Sequence, residues 1–221
     1  MKIQSLIPNG LSTLNLIFGF LSIISSIKGN FETAALFIIV GALADAFDGK
    51  IARKVNAVSE MGKEFDSLAD LVTFGVAGSL LVYLYALAGM EFGIFIPILT
   101  LVCVALRLAR FNVSSAPEYF EGLPSPAFGF FAATFVLSGI ALSTRITALL
   151  FAVVGIAMVL TVKYPTFKTS SKKAWIGIIV FLVICVGLAL YDMRLVLLPF
   201  VIYFIAGPLM MLKQGRKGSI N

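Results

Sequence analysis

The stretch ALADAFDGKIARKVNAVSEMGKEFDSLADLV, residues 42–72, holds four aspartates, Asp45, Asp48, Asp66 and Asp70, among mainly apolar neighbours. The first two are spaced i,i+3 and the last two i,i+4, so on helices each pair occupies one face. An acid carried to mid-membrane costs roughly 2.5–3.5 kcal/mol, and less near the interface. Four converging carboxylates also repel one another unless protons or cations intervene. Two divalent cations balance four such charges, and hard oxygen ligands at this density suit Mg²⁺, Mn²⁺ or Ca²⁺ rather than zinc.

The residues between the acids narrow the chemistry. Gly49 follows Asp48, Ala52 precedes Arg53, and Gly62 stands four before Asp66. Glycine lets a ligand or backbone approach closely. Arg53 lies one to two turns past the first acids, where a guanidinium can grip a phosphate through two N–H groups. Two cations, an arginine and close-approach glycines together describe a clamp for a pyrophosphate. Two other readings of the same residues stay open. The acids could pair with Lys50, Arg53 and Lys63 at a wet interface, or line the proton or cation pathway of an ion-coupled transporter.

The elements that carry these residues must sit in lipid. The chain has 221 residues, 60% hydrophobic and only 13% charged, with a mean hydropathy of +1.04. A soluble domain carries about 25% charged residues. The composition predicts an all-α integral membrane protein, a single polytopic domain over residues 1–221 with no separate soluble core. Apolar runs predict eight spans, near 10–28, 31–53, 66–89, 92–112, 126–143, 146–162, 174–191 and 194–212. The first is read as a retained span rather than a signal peptide, because no small-residue cleavage site precedes it.

Eight spans put both termini on one side. That side collects Lys2, Lys50, Arg53, Lys54, Lys63, Arg107, Arg110, Lys163, Lys168, Lys172, Lys173, Lys213, Arg216 and Lys217, against Lys28, Arg145 and Arg194 opposite. The bias predicts cytoplasmic termini and a cytoplasmic acidic hairpin in the plasma membrane. The net charge of +6 is mostly this asymmetry, so it suits anionic lipid headgroups and not nucleic acid. The sequence contains no histidine, which excludes an imidazole base and any His-ligated metal. Cys103 and Cys185 fall in apolar runs and read as buried thiols.

From Asp45 to Asp70 the residues follow the pattern D-x2-D-G-x2-A-R-x8-G-x3-D-x3-D. All eight positions match, and the pattern resembles the signature of the CDP-alcohol phosphotransferase family. The resemblance implies a membrane-embedded helical bundle, usually a homodimer, that uses divalent metal to move a phosphoryl-linked group from a CDP-alcohol to a hydroxyl. It implies that Asp45, Asp48 and Asp66 are metal ligands, and that Asp70 is both ligand and general base. Gly49, Arg53, Ser59 and Gly62 match positions around the CDP-linked donor, and Pro8, Asn9 and Gly10 align with the donor segment at the start of span one. Membrane prenyltransferases also use two acidic helices, but their second acidic motif lies far along the chain.

The stretches IPNGLSTLNLIFGFLSI (7–23), GKEFDSLADLVTFGVA (62–77), LRLARFNV (106–113) and GLPSPA (122–127) resemble the branch of that family whose acceptor is L-serine. The resemblance implies transfer from CDP-diacylglycerol or CDP-archaeol to the serine hydroxyl. Arg107 and Arg110 suit the serine carboxylate, while Asn112 and Ser125 offer polar contacts to its ammonium or hydroxyl. The same arginines would suit glycerol 3-phosphate or inositol phosphate, or could simply snorkel to the interface.

Overall fold

The computed structural model describes residues 6–54, 59–113, 120–160, 163–164, 187–188 and 191–204. Helices dominate. Helix α1 is Leu6–Ile27, α2 is Phe31–Lys54, and α3 runs without a break over Glu60–Leu87. Then follow α4 (Phe95–Val113), α5 (Ser125–Leu137), α6 (Thr144–Val159) and α7 (Arg194–Phe204), the last opened by a 3₁₀ turn at Met193–Val196. The one extended feature among the described residues is a two-residue antiparallel pairing of β1, Phe120–Glu121, with β2, Lys163–Tyr164. The seventh expected span lies almost wholly outside the described residues, as do Cys185 and the basic residues from Lys213 onward.

Local chemistry sets the helix ends. Gly29, at a φ of +77°, stops α1: its N–H donates to the Ser26 carbonyl at 3.0 Å and Asn30 N–H to the Ser25 carbonyl at 2.9 Å. That pair of bonds is the glycine-terminated C-cap. Helix α3 begins at Glu60, not near residue 66 as hydropathy alone predicts, because Ser59 caps it by accepting the Gly62 N–H at 3.0 Å. Helix α5 stops at Leu137, short of the expected 143, where Ser138 and Gly139 (φ +60°) turn the chain although the apolar run continues. Ser143 then caps α6, accepting from Ile146 N–H.

Among the described residues, α1, α3 and α4 are long and apolar enough to cross a membrane. Helix α2, with 24 residues, is not in that set; Glu32 stands in its first turn, and Asp45, Asp48, Lys50, Arg53 and Lys54 crowd its last ten positions.

Packing places α1 against both acid-bearing helices. Ser22 Oγ donates to the Ala34 carbonyl at 2.8 Å, and Asn15 lies against Gly41, so α1 and α2 are antiparallel. Asn9 lies against Gly62, Asn15 bonds Asp70 and Gly19 abuts Thr73, so α1 and α3 are parallel. Farther along, Phe74, Phe128, Phe131, Phe135, Phe151 and Phe200 form the apolar core, with the Phe131 and Phe200 rings stacked at 4.1 Å.

Candidate active site

The two helix directions explain why the acids meet. Gly41, Asn15 and Asp70 share one level. One turn from Gly41 along α2 reaches Asp45, one turn back from Asp70 along α3 reaches Asp66, and both steps lead toward the same end of the bundle. Carboxylate oxygens of Asp45, Asp66 and Asp70 accordingly lie within 4.8 Å of one another. Asp70 is buried and the other two are partly so. Asp48 lies three residues beyond Asp45 on α2, but its side chain and that of Arg53, like the surroundings of Gly49, fall outside what the structure describes. Three convergent hard-oxygen ligands are a donor set that fits a divalent cation such as Mg²⁺ or Mn²⁺.

Immediately after Asp70 the backbone changes character. Residues Leu71–Ala77 form a π-helical segment inside α3, a geometry found disproportionately at functional sites. Glycines let the neighbours close onto it. A Cβ on Gly19 would lie 2.9 Å from Thr73 Cα, and one on Gly41 would come within 2.9 Å of both Asn15 Oδ1 and Thr73 Cγ2. Gly129 of α5 sits against the Phe74 ring in the same way.

The expected donor contacts are neighbours in part. Ser59 Oγ and Asn9 Oδ1 both border Gly62, at 3.0 and 3.2 Å from where its Cβ would be. They lie on the same end of the bundle as the acids, one to two turns farther out.

The four residues assigned to the acceptor divide into two kinds. Arg107 is buried on α4, its Nη1 donates to Ser125 Oγ at 2.9 Å, and it acts electrostatically on Asp70 and Asp45. Ser125 is fully buried at the first turn of α5. The other two bond neighbouring helices. Arg110 Nη1 donates to the Val159 carbonyl at 2.9 Å, closing the end of α6. Asn112 is used at both ends of its amide, accepting from Ser67 Oγ and donating to Glu64 Oε2, each at 3.0 Å. Its carbonyl accepts from Lys63 Nζ at 2.7 Å, so Asn112 ties α4 to the start of α3.

The GLPSPA segment has a physical reading as well. Gly122, at a φ of +79°, faces the end of α6, where a Cβ would run into the Met158 carbonyl. Leu123 N–H donates to the Ala157 carbonyl at 3.1 Å, and Pro124 opens α5. The segment therefore fixes where Ser125, and through it Arg107, can sit.

Sequence reasoning overlooked Asn15. It is fully buried, and its Nδ2 donates to Asp70 Oδ1 at 3.0 Å while Thr73 Oγ1 donates to its backbone carbonyl at 2.9 Å. Its own Oδ1 is buried without a hydrogen-bond donor, an arrangement that costs about 1–3 kcal/mol. The available signal was a lone amide in the middle of an apolar run, LSTLNLIFGF.

A bundle of membrane-length helices whose acids converge from two of them is the setting the signature pattern requires, and the CDP-alcohol phosphatidyltransferase family model matches residues 5–181. The chain belongs to that family. Among its relatives, the CDP-diacylglycerol–serine O-phosphatidyltransferase of Bacillus subtilis is 40% identical over 173 residues, covering 76% of this chain and 94% of that protein. The Helicobacter pylori (strain J99) protein of the same name is 35% identical over 205 residues, covering 86% and 82%. The archaetidylserine synthase of Methanothermobacter thermautotrophicus is 36% identical over 169 residues, covering 74% and 72%.

Proposed function

We propose that this chain transfers a phosphatidyl-type group from a CDP-linked lipid to the hydroxyl of L-serine, yielding a serine phospholipid and CMP. The convergence of Asp45, Asp66 and Asp70 within a complete family signature carries the proposal. Relatives named for serine transfer, one acting in diacylglycerol chemistry and one named for an archaeal lipid, support the acceptor and leave the tails as CDP-diacylglycerol or CDP-archaeol.

In this reading Asp45, Asp48, Asp66 and Asp70 hold two divalent cations, which when bound neutralise charge on the donor pyrophosphate. Asn9, Gly49, Arg53, Ser59 and Gly62 border the cytidine end of the donor. Arg107, oriented by Ser125, receives the serine carboxylate. Asp70 takes the proton from the serine hydroxyl, whose oxygen attacks the phosphorus bearing the lipid. The bond from that phosphorus to the CMP oxygen breaks, and CMP leaves. Arg110 and Asn112 hold the helices that frame the acceptor side.

The proposal extends to the whole chain as one domain of eight spans, a homodimer in the plasma membrane, with both termini and the site facing the cytoplasm. The excess of basic residues on the site's side supports that orientation. A buried arginine would also receive an acceptor phosphate, so glycerol 3-phosphate and inositol phosphate are the rival acceptors. Purified protein given radiolabelled CDP-lipid, Mg²⁺ or Mn²⁺ and each acceptor in turn decides between them. Serine is expected to give labelled phospholipid, with one CMP released per transfer. Preference for either phosphorylated acceptor, or no CMP with any of them, would overturn the reading.

A further inference from the structure

We infer that Asn15 is a positioning residue that sets the direction of the Asp70 carboxylate; the inference rests on the proposed cation-binding role of Asp45, Asp66 and Asp70. Three contacts hold this residue. Its Nδ2 donates to Asp70 Oδ1 at 3.0 Å. Its Oδ1 faces Gly41, close enough that a Cβ there would lie 2.9 Å away. Its backbone carbonyl accepts from Thr73 Oγ1 at 2.9 Å, which ties α1 to the turn of α3 that follows Asp70.

The arrangement is specific to the acid. The amide oxygen finds no donor at Gly41 while the amide nitrogen is committed to Asp70, so the packing favours that one bond over satisfying both ends. A leucine of similar branching would suit the surrounding apolar helix but would leave the carboxylate unheld. Arg107 also acts electrostatically on Asp70, while the Asn15 bond ties one carboxylate oxygen to α1. Held in this way, Asp70 keeps one oxygen on Asn15 and presents its remaining lone pairs toward Asp45 and Asp66. Partners of this kind, which bond a metal ligand without touching the metal, change metal affinity by about 10–100-fold when removed.

The test is a Mn²⁺ titration, following the electron paramagnetic resonance signal of free Mn²⁺, on the full-length protein in detergent. Asn15→Leu and Asn15→Ala are compared with wild type, with Asp70→Asn, and with Ser22→Ala, which removes a buried α1 hydrogen bond remote from the acids. Both Asn15 variants are expected to bind Mn²⁺ about 10–100-fold more weakly, and raising Mn²⁺ should restore their CMP release, which a folding defect would not allow. Ser22→Ala should bind as wild type. The alanine variant has no added bulk, so it reports even if the leucine variant does not fold. Wild-type Mn²⁺ affinity in the Asn15 variants would overturn the positioning role alone. Absence of Mn²⁺ binding by the wild type would overturn the cation site itself, and this inference with it.

Discussion

At the scale of single residues, the site depends on which polar groups act on the acids and which bond neighbouring helices. Arg107 and Arg110 stand three apart on one helix, yet one donates to Ser125 and acts electrostatically on Asp70, and the other donates to the Val159 carbonyl. Arg107→Lys keeps the charge and loses the planar fork, which a carboxylate recognises through two bonds. It is expected to raise the KM for serine at least about tenfold, the effect of losing one charge-assisted hydrogen bond, with a smaller change in kcat. Arg110→Lys should leave the serine KM near wild type and lower the melting temperature. Steady-state kinetics over a serine series separates the two, and equal effects on KM would contradict the division. The acids were legible because carboxylates in an apolar run are expensive and their spacing matches a helix face. The different fates of Arg107 and Arg110 were not, because helical periodicity does not say which neighbouring helix reaches a given turn.

At the scale of the elements, α1 is the wall that the acidic hairpin leans on. The four aspartates predicted a two-helix meeting of α2 and α3, and three of them, Asp45, Asp66 and Asp70, do meet, with Asp48 outside the described side chains; the register is set by α1 through Gly19, Gly41 and Asn15. Nothing in a single sequence announces that α1 runs parallel to α3, or that α3 changes to π geometry after Asp70. Helix ends were more readable: Gly29 stops α1 where expected, whereas hydropathy overran Ser138-Gly139 at the end of α5. A Cβ on Gly19 would meet Thr73 backbone, which cannot turn aside as a flexible side chain would. Gly19→Ala is therefore expected to cost about 1–3 kcal/mol, the range for overpacking a filled interior. Gly89→Ala, which meets nothing within 4 Å, should stay within about 0.5 kcal/mol of wild type. Unfolding midpoints of both variants in one detergent check the pair, and a neutral Gly19→Ala would contradict the close packing of α1 on α3.

At the scale of the whole molecule, the functional ends of five helices gather at one end of the bundle: the start of α1, the end of α2, the start of α3, the end of α4 and the start of α5. The stretch of α3 between Asp70 and its far end at Leu87 spans at most about 25 Å at the α-helical rise of 1.5 Å per residue, because much of it is π-helical, against a hydrocarbon core of roughly 30 Å. Asp70 so placed would sit at the edge of the lipid, where a lipid-tailed donor and a water-soluble acceptor can both reach it. The proposed topology is tested with single cysteines in a Cys103→Ala, Cys185→Ala background. A membrane-impermeant maleimide on intact cells should label Asn30→Cys, and should label Glu60→Cys only after permeabilisation. The reverse pattern would contradict cytoplasmic placement of the acids. The central claim, that the convergent aspartates perform a metal-dependent transfer to serine, is tested most directly by CMP release from CDP-lipid and serine by wild type and Asp70→Asn. Wild type should release CMP only when Mg²⁺ or Mn²⁺ is present and lose that activity in excess EDTA. Asp70→Asn should be slower by at least about 10²–10⁴-fold, the contribution of a general base, and CMP release by Asp70→Asn at the wild-type rate would contradict the account.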